Sequence, residues 1–278
     1  MRILIIILFP FLSTLIAHGE TKPSDQEQFA LWEKLVQPSK GEAMPIGNYS
    51  AGCLQGAESL PLSGPAFVVM HPERKRYFGH PELLSYIKSL ASTVRDNHLG
   101  ILLVGDMGRP RGGPMISGHA SHQIGLDVDL WYSLPKKAPR KAERSRLSAG
   151  HFTANGKLAH WNKKLTKLLE LAIQNPSVDR IFVNPIIKQS LCRSEKEAAW
   201  LHKIRPWWGH DDHFHVRLNC PAGSNQCQPG TPIPDGPGCD SDLAWWFSED
   251  AKKTLIDRGK KERVFPVLPA ACAALSAQ

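Results

Sequence analysis

Two short windows constrain this chain more than any other part of it. Ser117 to Leu130 reads Ser-Gly-His-Ala-Ser-His-Gln-Ile-Gly-Leu-Asp-Val-Asp-Leu, and His210 to Val216 reads His-Asp-Asp-His-Phe-His-Val. Five of the chain's 12 histidines fall in these windows, beside up to four carboxylates. Leu126-Asp127-Val128-Asp129-Leu130 alternates apolar and acidic residues, which is the period of a strand. Leu126, Val128 and Leu130 therefore face a core, and Asp127 and Asp129 share the opposite face. The second window repeats the pattern, with Phe214, Val216 and Leu218 on one face and His213, His215 and Arg217 on the other. Pro110 to Ser121 is rich in Gly and Pro and reads as loop. Gly125 marks a turn or a close approach just before the strand. His122, carried on that loop, can fold back beside a carboxylate fixed on a strand.

Imidazole and carboxylate are the groups that zinc and similar cations take as ligands. Two histidines spaced two apart on a strand point the same way, so one can hold a metal while the other moves a proton or steadies charge. His210 lies at the approach to that strand and can reach the same cleft. The strand period does not separate the two aspartates. Asp129 is preferred as a ligand and Asp127 as a carboxylate that orients an imidazole. Other hydrolytic chemistries lack their signatures: there is no Gly-x-Ser-x-Gly and no His-Glu-x-x-His. A metal-activated water is the attacking group that remains.

Ile3 to Ala17 is almost wholly apolar after Met1-Arg2, and Ala17-His18-Gly19 offers small residues for cleavage. Residues 1–19 are expected to be a secretory leader, shorter than a membrane span. Residues 20–278 are long enough for a single domain. All six cysteines follow the leader, and an even number in an exported chain suggests three disulfides. The spacings lack the close Cys pairs of a zinc knot. Cys220 and Cys227 can close a small loop through the Pro, Gly and Asn between them; the pairing of the other four is open at this point. The formal net charge is +8, much of it between Lys136 and Arg146, and suits an acidic partner such as a wall polymer. Nucleic acid is disfavoured in an exported chain with no recognition motif.

Between the windows, Pro81 to Val94 has helical spacing and Ile101 to Val104 reads as a buried strand. A second helix is expected over Lys157–Gln174 and a strand over Val178–Val183. Ser194, with Glu197 three residues on, is expected to open a short helix as a capping box. Asp240 or Ser241 is expected to cap a last helix running through Leu255. The class expected is α+β: a small, largely antiparallel central sheet flanked by helices, with disulfide-tied loops. Arg109, Arg111 and Arg205 are candidates to grip a substrate carboxylate. Trp207 and Trp208 are expected to pack beneath the second window.

The string Ser-Gly-His-x-Ser-His-Gln-x-Gly-Leu-Asp, with His213-Phe214-His215 far downstream, resembles the penicillin-insensitive murein endopeptidases. That family is related to the D-Ala-D-Ala dipeptidases, the lysostaphin-type peptidases and the Hedgehog domain. The similarity extends through Arg180 to Pro185, Arg205-Pro206-Trp207 and the cysteines. The resemblance implies zinc held by His122, Asp129 and His215, with His119 as a further ligand candidate. It implies a catalytic His213 assisted by His210, and disulfides Cys53–Cys272 and Cys192–Cys239 beside Cys220–Cys227. It also implies a periplasmic zinc peptidase that cuts D-alanyl–meso-diaminopimelate cross-links in peptidoglycan and ignores penicillin, having no serine to acylate. The same ligands would serve a D,D-carboxypeptidase or dipeptidase, or a non-catalytic zinc-containing wall-binding domain. One departure stands out. Some relatives carry an Asp and a His around the stretch equivalent to Asn155-Gly156-Lys157-Leu158, where this chain has neither, so a second zinc of that kind is not expected.

Overall fold

The two alternating windows become neighbouring antiparallel strands, Asp127–Trp131 and His213–Leu218, at the middle of a seven-stranded sheet. The computed structural model describes residues 23–154, 156–195 and 198–277. The expected leader, Asn155 and Glu197 lie outside them. Across the sheet the order is Ile204–Pro206, Val178–Val183, His213–Leu218, Asp127–Trp131, Leu102–Val104, Phe67–Val69 and Ser63–Gly64. Two pairs are parallel, Val178–Val183 with Ile204–Pro206 and Phe67–Val69 with Leu102–Val104; the rest are antiparallel.

Helices cover one face of this sheet. Helix Pro81–Asp96 starts well because Pro81 occupies its first turn and the His80 side chain accepts from the Glu82 N–H. Its Leu83, Leu84, Ile87, Leu90 and Val94 are buried. Helix Lys163–Ile173 lies against it, and the Tyr86 hydroxyl donates to the Ala172 carbonyl at 3.0 Å. Both pack onto Leu126, Val128, Leu130, Phe214, Val216 and Leu218 in one core cluster. Burying each such side chain is worth about 1.5–3 kcal/mol. A slip of one residue in either strand would turn that whole set away from the core, so the period fixes which face carries the histidines.

Three expectations are corrected. The segment expected to begin a helix at Lys157 first forms a two-residue strand, Lys157–Leu158, paired with Thr153–Ala154. The helix starts only at Lys163, where the Asn162 side chain accepts from the Lys164 N–H. Ser194 ends a helix rather than opening one. Helix Pro185–Ser194 is capped by Asn184 with Pro185 in its first turn, and a 3-10 turn, Ala199–Lys203, follows. The last expected helix is two: Ser241–Trp245, capped by Asp240, then Glu249–Lys260, because the Ser248 side chain caps a new start.

The ends of the chain close on each other. Helix Asp25–Glu33 carries a capping box from Ser24 and Glu27. Its Trp32 packs with Ile46, Cys53, Cys272 and Leu275. Those residues join the hairpin Met44–Asn48/Ala51–Gln55 to the tail helix Ala270–Ser276. The disulfides are Cys53–Cys272, Cys192–Cys239 and Cys220–Cys227. Among the described residues no helix is long and apolar enough to cross a membrane.

Candidate metal centre

The face of the sheet away from the helices carries the candidate site. Register sets it directly: His215 lies opposite Asp129, Arg217 opposite Asp127 and His213 opposite Trp131. Side chains facing one another across an antiparallel pair are close enough to interact.

That register separates the two aspartates. Asp127 is fully buried and saturated with donors. Its carboxylate accepts from Arg217 Nε at 2.8 Å and Nη2 at 3.1 Å, and from the His122 backbone N–H at 2.9 Å. His215 Nε2 lies 3.0 Å away. Burial alone would raise the Asp127 carboxyl, but Arg217 and His215 outweigh it and hold it well below the usual carboxylate range. Asp127 is thus committed to aiming its neighbours.

Asp129 faces the histidines instead. Its Oδ1 lies 3.3 Å from His122 Nε2, 3.5 Å from His215 Nδ1 and 3.5 Å from His213 Nε2. Its Oδ2 lies 3.4 Å from His119 Nδ1. Burial pushes this carboxyl up, and His213, His122 and His119 bring it well below its ordinary value. His122 reaches the cluster from the loop in a left-handed backbone conformation, φ 66°. Its N–H bond to Asp127 helps to hold that strained conformation. Gly125 is left-handed too, and a Cβ there would collide with Leu54 Cδ2.

His119, His122 and Asp129 form a group whose ligand atoms all lie within 4.8 Å of one another. Both ring nitrogens of His122 and Asp129 Oδ1 are buried without a hydrogen-bond partner. Buried polar atoms are rarely left so, because each costs its full desolvation. Two imidazoles and a carboxylate converging with empty lone pairs suit a divalent cation, and the chemistry of these donors fits zinc.

The remaining histidines differ sharply in electrostatics. Asp212 faces His213 Nδ1 at 2.5 Å. Burial would lower the His213 pKa, yet Asp129 and Asp212 raise it to about 9. His210 donates from Nδ1 to the Trp208 carbonyl at 2.9 Å. Burial first, then His215 and His213, push His210 down to about 3. His215 is lowered to about 4, chiefly by burial.

The arginine candidates are placed elsewhere. Arg109 is buried and donates to the Glu33 carboxylate and to the Glu33 carbonyl, both at 2.5 Å. Arg111 is buried too and donates to the Gln37 carbonyl at 3.0 Å and the Leu275 carbonyl at 2.5 Å. Both are spent on tying the N-terminal helix and the tail, which corrects the expectation that they grip substrate. Arg205 lies 3.6 Å from Asp242, after Cys239. Trp207 and Trp208 form an indole cluster with Trp245 and Trp246 rather than a floor for the second window. Trp207 packs edge-on against Phe182, whose ring is 5.3 Å from that of His215.

The two windows do not reveal Asp106. It follows the strand Leu102–Val104, and its Oδ2 lies 2.9 Å from both His119 Nε2 and Arg76 Nη1. Burial raises its carboxyl, but His119 and Arg76 bring it to about 2 despite the nearby Asp129. A polar residue just past a buried strand was the only signal available. Asp212 was visible beside His213, though its hydrogen bond was not.

Known proteins are similar to nearly the whole of this chain. The sequence profile of the penicillin-insensitive murein endopeptidases matches residues 45–277. A penicillin-insensitive murein endopeptidase of Klebsiella pneumoniae is 44% identical over 249 residues, covering 88% of this chain and 90% of that one. The Escherichia coli protein of that name is 42% identical with the same coverage. The Haemophilus influenzae protein is 40% identical over 250 residues, covering 87% of this chain and 86% of that one. Identity of that degree, carried through nearly the whole length and across the strand pair that builds the metal centre, makes this chain a member of the penicillin-insensitive murein endopeptidase family.

Proposed function

We propose that this protein is a periplasmic zinc peptidase that hydrolyses D-alanyl–meso-diaminopimelate cross-links in peptidoglycan, and that penicillin does not inhibit it. The observation that carries this reading is the convergence of His119, His122 and Asp129, with the His122 ring nitrogens and Asp129 Oδ1 buried and unpartnered as suits a cation, in a chain of this family. His122, Asp129 and His215 would hold the zinc, with His119 beside them. When bound, zinc supplies Lewis acidity toward a scissile carbonyl and lowers the pKa of water. Periplasmic placement rests on the leader-like residues 1–19 and on the disulfides.

The protein's own groups divide the proton work. His210 and His213 have ring centroids 5.0 Å apart, yet their environments drive their pKa values in opposite directions. Their hydrogen bonds differ as well, His213 to the Asp212 carboxylate and His210 to the Trp208 carbonyl. Asp212 fixes His213 through Nδ1 and leaves Nε2 facing Asp129 as the atom that carries the proton. That proton can steady an oxyanion or pass to the leaving amine. His210 stays neutral and offers Nε2 as an acceptor, because its Nδ1 proton is committed to Trp208. Asp127 keeps His215 and the His122 backbone in place.

The test is mass spectrometry of purified cross-linked muropeptide dimers incubated with the zinc-loaded protein. Both monomers should appear, in the presence or absence of penicillin. EDTA should abolish them and added zinc restore them. Release of a terminal alanine would instead identify a carboxypeptidase, and intact dimers would refute the peptidase reading.

A further inference from the structure

Three guanidinium groups surround the His119 side of the centre, and one of them is left without a good partner. Arg76 donates from Nη1 to Asp106 Oδ2 at 2.9 Å and from Nη2 to the Ser117 carbonyl at 3.2 Å. Arg263 donates to the His119 carbonyl at 2.6 Å. Both hold the loop that carries His119. Arg74 also points at Asp106 Oδ2, but its Nη1 is 3.4 Å away. That oxygen already faces Arg76 and His119 Nε2, each at 2.9 Å. One carboxylate oxygen has two lone pairs, so Arg74 is surplus there.

Arg74 is also presented rather than buried. Its side chain is 46% exposed, against 11% for Arg76. It ends the short 3-10 turn Pro72–Arg74, which is bounded by two non-glycine residues in the left-handed region, His71 at φ 51° and Lys75 at φ 53°. Backbone strain of this kind persists only where surroundings impose it. Here they do: Glu73 accepts from Ser145 Oγ at 2.6 Å, and the His71 N–H donates to the Arg144 carbonyl at 3.2 Å. The turn is pinned in a costly conformation that leaves a guanidinium uncovered.

The position of this group gives it a use. Arg74 adjoins Asp106, Asp106 contacts His119, and His119 contacts Asp129. One carboxylate, that of Asp106, separates Arg74 from His119, a member of the metal cluster. Arg74 and Arg76 share the one carboxylate of Asp106, and Arg263 is spent on the His119 carbonyl, so this side of the centre carries excess positive charge. An anion attached to a peptide lying across the metal centre meets that charge first.

We propose that Arg74 is a specificity-determining anchor for a free carboxylate of the substrate peptide beside the scissile bond, with Arg76 and Asp106 as positioning residues. A guanidinium fork matches a carboxylate with two parallel hydrogen bonds. This rests on the proposed peptidase function and adds the substrate feature that the site reads.

The experiment compares two muropeptide dimers that differ only in the diaminopimelate carboxylates, free in one and amidated in the other. The wild-type protein should favour the free acid by roughly ten- to a hundredfold in kcat/KM, as for a hydrogen bond to a charged group. Arg74→Ala should collapse the acid-to-amide ratio toward one, mainly through KM, while zinc content stays at the wild-type level. Arg74→Lys should keep part of the preference. Equal wild-type rates on both dimers, an unchanged ratio in Arg74→Ala, or loss of zinc from that variant would each overturn the anchor. Cleavage of neither dimer by the wild-type protein would overturn the peptidase reading and the anchor with it.

Discussion

At the scale of single residues, the site works by giving chemically similar groups different neighbours. Asp127 and Asp129 lie two residues apart on one strand face, yet Arg217 saturates the first and leaves the histidines to the second. His210 and His213 are split in the same way, burial pushing the first pKa down and Asp129 and Asp212 raising the second. These assignments predict distinct failures. His122→Ala and Asp129→Ala should lose both bound metal and activity, because each removes a donor from the cluster. His213→Ala should keep its metal and lose activity by at least ~100-fold, the usual scale of a general acid–base group. Metal analysis beside a dimer-cleavage assay reads both. Normal metal and normal cleavage in all three variants would show that the site lies elsewhere.

Elements then decide where these residues meet. The pairing of His213–Leu218 with Asp127–Trp131 draws on the two alternating patterns, since a slip of one residue would turn an apolar set out of the core. The chain ends depend on a covalent tie. Cys53–Cys272 spans 219 residues of sequence and fastens the tail helix to the hairpin Met44–Gln55. Arg111 adds a hydrogen bond to the Leu275 carbonyl of the same helix. Replacing both cysteines by alanine should lower stability by about 2–4 kcal/mol, the usual range for removing a disulfide. The tail should then become the first site of proteolysis. Urea titration and limited digestion measure the two effects, and zinc content should be retained because the cluster lies on the sheet. Retained stability together with a protected tail would show that packing of Trp32, Ile46 and Leu275 holds the ends without the bond.

For the molecule as a whole, the sheet divides the labour: helices and core on one face, the metal centre on the other. The net charge of +8 acts at longer range than either. Lys136, Lys137, Lys141 and Arg146 are exposed on the segment after the Asp127–Trp131 strand, while Arg140 pairs with Glu143. Exposed charge of one sign raises the local concentration of an acidic polymer, and salt screens it over ~10 Å at 0.1 M. Solubilisation of intact peptidoglycan should therefore fall steeply as salt rises, and more steeply than cleavage of a soluble dimer. Lys136→Glu, Lys137→Glu and Lys141→Glu combined should flatten that difference. Equal salt dependence on polymer and dimer would mean that the basic segment is only a solvated loop.

Sequence alone determined the parts of this protein that depend on residue type and local period. The alternation in Leu126–Leu130 and Phe214–Leu218 required strands with one buried face, and burial energy enforces that locally. The histidines and aspartates on the opposite faces required a polar site, and the rarity of the first window's string marked the family. Tertiary structure decided everything that depends on who sits opposite. Nothing local separates Asp127 from Asp129; Arg217 does so from another strand. Arg109 and Arg111 look like substrate grips because they adjoin the first window in sequence, but folding spends them on Glu33 and Leu275. Arg74 and Asp106 reach the centre through contacts that sequence proximity does not display. Helix ends near Lys157 and Ser194 depart from the local pattern for a related reason. Whether Asn162 or Asn184 caps a helix is settled by backbone paths that adjoining strands impose.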